Sequence, residues 1–148
     1  GGHSEALLER LRPGGRLLGL DVDSEQLPRT EARLRGLGYD EKTLVVHRYN
    51  YAGFASMLAH IGWNEGVDVV LADLGLSSMQ IDNPARGFSY RHDGPLDMRM
   101  NPEGRVPARD WLARCKIDKL ARVLVEGSDE PHAERLAEAI VAATAVLK

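Results

Sequence analysis

The amino-acid sequence predicts an α/β fold, an incomplete doubly wound parallel sheet followed by a helical appendage. Two observations carry the first part. Short apolar runs that end in carboxylates or turns alternate with segments whose apolar residues recur three and four apart, as in parallel strands joined through helices. Only three such runs occur, all before residue 80, which is too few to complete a sheet. A third observation carries the appendage: from residue 103 onward the composition turns to helix formers.

The elements follow in order. Residues 4–11 have helical spacing, with Ser4 as the expected N-cap and Ala6, Leu7, Leu8 and Leu11 as the apolar face. "RPGG" stops that helix, and "RLLGLDVD" reads as a buried parallel strand whose carboxylate end meets a ligand crevice. "EQLPRTEARLRGLG" returns to helical spacing, with Pro28 either in the first turn or breaking it. "KTLVVHRY" reads as a second strand, "GFASMLAHIGW" as a helix, and "GVDVVLADLGLSS" as a third strand running into a turn. Residues 81–102 read as an irregular connection. "ARDWLARCKIDKLARVLVE" and "HAERLAEAIVAATAVLK" are the two helices of the appendage. The expected organisation is a sheet portion over residues 1–80 and a recognition loop with helices over 81–148.

At 148 residues the chain suits one domain of common size or two partial ones. Apolar and charged fractions of 43% and 28% are those of globular proteins, so a packed core is expected. The net charge of −3 supplies no global attraction for nucleic acid, so such a partner needs a local basic patch. Cys115 stands alone, which excludes an internal disulfide and a cysteine-based zinc cluster. No run approaches the roughly 20 apolar residues that span a bilayer, and "GGHSEALLERL" has the pattern of neither a signal nor a transit peptide.

Candidate chemistry gathers at the ends of the runs. A glycine turn opening a helix, followed after about 18 residues by a strand-end acid, is a nucleotide-binding layout: glycines admit the backbone to the ligand and the acid takes two ribose hydroxyls. Gly1, Gly2, His3 and Asp21 occupy those positions; an ordinary glycine turn and a solvent-facing Asp account for them equally well. Asp73 ends the third run and can hold an amine, or merely cap a turn. Asp21 and Asp73 are expected to point into one hollow. Gln80 can reach a base edge or sit on the surface. One of Tyr49 and Tyr51 can flank an aromatic ring or pack in the core, while His47 and His60 have no ligand spacing. The run "RGFSYRHDGPLDMRM", residues 86–100, has no periodicity. Its Arg86, Arg91 and Arg99 can grip phosphate, Phe88 and Tyr90 can stack on bases, and His92, Asp93 and Asp97 offer polar contacts. The plain alternative is a long, solvated surface loop.

Three stretches together, "GGHSEALLERLRPGGRLLGLDVD", "ADLGLSSMQIDNPARGFSYRHDGPLDMRM" and "HAERLAEAIVAA", resemble the small-subunit ribosomal RNA cytosine-N(4) methyltransferases of the RsmH/MraW type. The resemblance covers essentially the whole chain. It implies a partial class I, Rossmann-like methyltransferase sheet interrupted by a helical insertion that helps recognise RNA. It also implies S-adenosyl-L-methionine as methyl donor, methyl transfer to the exocyclic amine of a cytosine, and small-subunit ribosomal RNA or an assembling subunit as partner. By position, Gly1, Gly2 and His3 match the family's cofactor loop, Asp21 its ribose acid, Tyr51 an aromatic after the third sheet strand, Asp73 the acid after the fourth, and Gln80 a further cofactor contact. If the chain shares that reaction, the residues themselves suggest Asp73 as the catalytic residue that helps orient the amine, Arg86, Arg91 and Arg99 as grips on the RNA backbone, and Phe88 or Tyr90 as the stack on a splayed base. "VEGSDEPHAERL" departs from the family's Tyr-Gly and basic residue at that corner.

Family members extend beyond both ends of this sequence, so the expectation is an internal fragment or a truncated relative, in a bacterial cytoplasm or an organelle. Exposed sheet edges leave self-association open. The rival expectation, from another class, is a truncated, non-catalytic RNA- or protein-binding module.

Overall fold

The computed structural model describes residues 1–146. Two compact units appear: residues 1–74 with 100–103, and residues 75–99 with the chain from 104 onward.

The first unit is mixed α/β. Its opening helix, α1 (Gly2–Leu8), begins earlier than the spacing predicts: Gly1 is the N-cap, its carbonyl accepting from the Glu5 N–H, so Ser4 lies inside the first turn. Strand β1 (Leu17–Asp21) leads through a tight turn into α2 (Gln26–Gly36). Pro28 sits in the first turn of α2, where its missing N–H removes no helix bond. Strand β2 (Leu44–Arg48) pairs with β1 in parallel, Leu17 opposite Leu44 and Asp21 opposite Arg48. Leu8, Leu34 and Leu44 are buried together, with Leu11, Leu17, Tyr39 and Val46 packed against them. Each buried leucine contributes about 1.5–3 kcal/mol, so this cluster is what holds α1 and α2 on the two strands. After β2, a 3-10 turn (Tyr51–Gly53) capped by the Asn50 carboxamide passes into α3 (Phe54–His60).

The expected third strand does not form. Residues 67–76 are irregular, and Val69, Val70, Leu71 and Leu74 are exposed, Val69 by 75%. A run of branched apolar residues becomes a strand only when its backbone N–H and C=O groups meet a neighbouring strand. Among the described residues the only ladder is β1 with β2, so the apolar pattern has nothing to pair with.

In the second unit, α4 (Ser78–Ile81) is held by a capping box. Ser77 Oγ accepts from the Gln80 N–H, and Gln80 Oε1 accepts from the Ser77 N–H. A 3-10 turn (Pro84–Arg86) follows, and then the irregular run. The helix expected over 108–126 is two helices, α5 (Ala108–Leu112) and α6 (Ile117–Ser128), because Lys116 is extended and caps the second. α6 packs on α7 (Ala133–Val146) through Leu120, Ala121, Ala133 and Ala137. Trp111, Leu112 and Cys115 cover this cluster, which is why the chain turns between α5 and α6. Residues 147 and 148 of the expected last helix lie outside the described residues.

Candidate functional site

A hollow of about 130 Å³ opens in the first unit at the carboxylate end of β1. Gly1 and Ser4 line it from α1, Gly19 and Asp21 from β1, and Thr30 and Glu31 from α2. Gly1 lies close against α2: a Cβ there would stand 2.5 Å from Thr30 Cγ2, so a side chain at this position would have to displace that of Thr30. Gly2 has open space around its missing Cβ. The turn after β1 is self-braced. Asp21 Oδ1 accepts from the Asp23 N–H at 2.9 Å, and the fully buried Asp23 turns its Oδ1 to the N–H groups of Glu25 and Gln26 at 2.9 and 3.0 Å. Asp21 itself is exposed, with its carboxylate at the rim.

Asp73 does not line that hollow, which corrects the expectation of two acids facing one cavity. It lies beyond an unpaired segment rather than at a strand tip. It is nevertheless tied to the same turn, since His3 Nδ1 donates to Asp73 Oδ2 at 2.8 Å. Three consecutive residues, Gly1 to His3, therefore touch both acids' surroundings: Gly1 lines the hollow with Asp21, and His3 holds Asp73. Tyr51 is exposed at the start of its 3-10 turn. Tyr49 lies against Gly53, and its N–H donates to the Asp21 carbonyl, so β2 continues to brace β1 past the last register pair.

Gln80 is buried, and its side-chain oxygen is committed to the capping box. Two of the loop arginines turn into the loop itself. Arg86 is 4% exposed and donates from Nη2 to the Arg99 carbonyl at 3.0 Å, with its guanidinium 5.7 Å from the Phe88 ring centroid. Arg99 forks onto Asp97, Nε to Oδ1 at 2.8 Å and Nη2 to Oδ2 at 2.6 Å, and also donates to the carbonyls of Gly104 and Arg105. That fork holds the Asp97 carboxyl below the ordinary carboxylate range. Both guanidiniums thus build the loop from within, whereas Tyr90, 98% exposed, and Arg91 stand at its tip in solvent. His92 and Asp93 are exposed beside them. Met98 N–H to Arg86 carbonyl closes the run on itself.

Sequence reasoning missed four contributors. Ser4 and Thr30 line the hollow as ordinary helix residues with no local signal. Asp23 had one: Asp23 followed by Gln26 is the spacing of an N-terminal cap. Glu103 had none; it pairs with Arg48 across 55 residues, and that guanidinium lowers its carboxyl from the ordinary range.

Among the described residues no group of His, Cys, Asp and Glu is placed to hold a metal, and no helix is long and apolar enough to cross a membrane. Comparison with known proteins gives the lineage. A family model described as the MraW methylase family matches residues 1–147. Similar proteins include the ribosomal RNA small subunit methyltransferase H 2 of Alkaliphilus metalliredigens, 43% identical over 95% of this chain and 40% of its own length. The methyltransferases H of Leptothrix cholodnii and Methylococcus capsulatus are each 44% identical, over 96% and 95% of this chain and 43% and 46% of theirs. The chain spans less than half the length of these relatives. The mixed α/β unit with its parallel strand pair, and the match over almost every residue, place this chain in the MraW methylase family.

Proposed function

We propose that the chain carries part of the site for S-adenosylmethionine-dependent methylation of small-subunit ribosomal RNA, at the exocyclic amine of a cytosine. The observation that carries this reading is the Gly1–His3 turn, which borders the Asp21 hollow and binds Asp73. A hollow of about 130 Å³ suits the ribose portion of an adenosine-bearing donor, with the remainder lying outside it. Asp21 would take the ribose hydroxyls at its exposed rim, and Gly2 leaves the backbone open to the ligand. When bound, the donor supplies an electrophilic sulfonium methyl group.

A cytosine amine is a weak nucleophile because its lone pair is delocalised into the ring. The protein's part is to hold that amine in line and to accept its hydrogen bond as positive charge develops. Asp73 has the chemistry for this: His3 bonds one oxygen, which leaves the other to accept from an incoming donor N–H. In the loop, Tyr90 would stack on a splayed base and Arg91 would meet phosphate, with Arg86, Phe88 and Arg99 setting the loop's shape. The relatives' names support an RNA substrate, and their bacterial sources support a bacterial cytoplasm.

Isothermal titration with S-adenosylmethionine tests the reading. Micromolar binding that Asp21→Ala reduces at least tenfold is expected; equal affinity in the variant removes Asp21 from the site. The second reading, a non-catalytic binding module, is favoured by the unpaired and exposed Val69–Leu71 stretch. No heat with the donor together with retained RNA binding would select it.

A further inference from the structure

Arg48 is the register partner of Asp21 on the adjacent parallel strand. Register partners project from the same face of a sheet, with strands about 4.8 Å apart, so an arginine stem easily spans the gap to the neighbouring carboxylate. Opposite charges so placed attract. Yet Arg48 makes no ion pair with Asp21. Its Nη1 is bonded instead to Glu103 Oε2, from the 100–103 segment that belongs to the same unit as the strands. Among the described residues, the Asp21 carboxylate accepts one hydrogen bond, from the Asp23 N–H on Oδ1.

We propose that Glu103 is a positioning residue for Asp21: by holding Arg48 it keeps a competing guanidinium away and leaves the Asp21 carboxylate to the vicinal hydroxyls of a bound ligand. The inference rests on the reading of Asp21 as ribose acceptor and adds the device that keeps that acceptor available. Glu103 touches no ligand in this account. It acts through Arg48, and its effect must vanish when Arg48 is removed.

The test uses the chain, Glu103→Gln, Arg48→Gln and the double variant, titrated with S-adenosylhomocysteine. Glu103→Gln is expected to weaken binding about two- to fivefold, the range of an exposed ion pair competing for the carboxylate. The double variant is expected to return to the affinity of Arg48→Gln. Unchanged binding in Glu103→Gln overturns the proposal, as does a double variant as weak as Glu103→Gln, which would make Glu103 a structural residue only. The ligand-free protein gives an independent readout in the carboxylate ¹³C resonance of Asp21. That resonance should move in Glu103→Gln and move back in the double variant; a signal indifferent to Glu103 overturns the pairing. A chain that fails to bind while this signal responds would sink the ribose reading and uphold the Glu103 device.

Discussion

Gly87→Ala is the perturbation with the most specific expected cost. Gly87 closes the 3-10 turn at φ +69° and ψ 22°, the left-handed region, which charges a non-glycine residue about 1–2 kcal/mol. A Cβ there would also fall 2.7 Å from the Asp97 nitrogen and closer still to the Pro95 carbonyl oxygen. Both are backbone atoms of the returning loop, fixed by the Arg99 fork on Asp97 and by the Ala108 N–H on the Asp97 carbonyl, so neither can swing aside. Overpacking of this kind adds about 1–3 kcal/mol, for a total of about 2–5 kcal/mol. Gly62→Ala is the matched control: φ there is +75°, but nothing lies within 4 Å of the added carbon, so only the conformational part applies. Urea denaturation of both variants, with hydrogen exchange at residues 86–99, separates the two contributions. A Gly87→Ala variant no less stable than Gly62→Ala would refute the close approach and the loop closure built on it.

Further outcomes follow from the same reasoning. Leu44→Ala, at a position 1% exposed between Leu8 and Leu34, is expected to cost the first unit about 2–5 kcal/mol in urea denaturation. Asp97→Asn removes a carboxylate whose folded pKa lies below its unfolded value because Arg99 donates to it. Its stabilisation is therefore present above the unfolded value and lost as pH falls through the folded one. Thermal melts of native chain and variant should differ at pH 6 and converge as the pH drops below about 4; a difference that persists at low pH contradicts the assignment.

Periodicity was enough for β1, α2, β2 and the α6–α7 pair, because each buries an apolar stripe against its neighbour. It failed for residues 67–76, whose strand pattern is as clear as that of β2. A strand is a relation between two segments, and the pattern of one cannot report whether the other is beside it. That Gly1 and Asp21 line one hollow was legible because the alternation of helix and strand brings a helix start to a strand end. The inward roles of Arg86 and Arg99 were not: composition counts a guanidinium as a phosphate grip, and only the fold of the loop puts it against Asp97 or a backbone carbonyl. Glu103 was invisible for the same reason, since its partner Arg48 lies 55 residues away in sequence.

The central claim is that one short turn, Gly1 to His3, serves both Asp21 and Asp73. Backbone amide NMR during titration with S-adenosylmethionine tests it most directly. Gly2, His3, Asp21 and Asp73 should shift together along one saturation curve while Leu120 and Ala137, in the α6–α7 core, stay fixed. Shifts confined to one acid's neighbourhood, or none at these four residues, would contradict it.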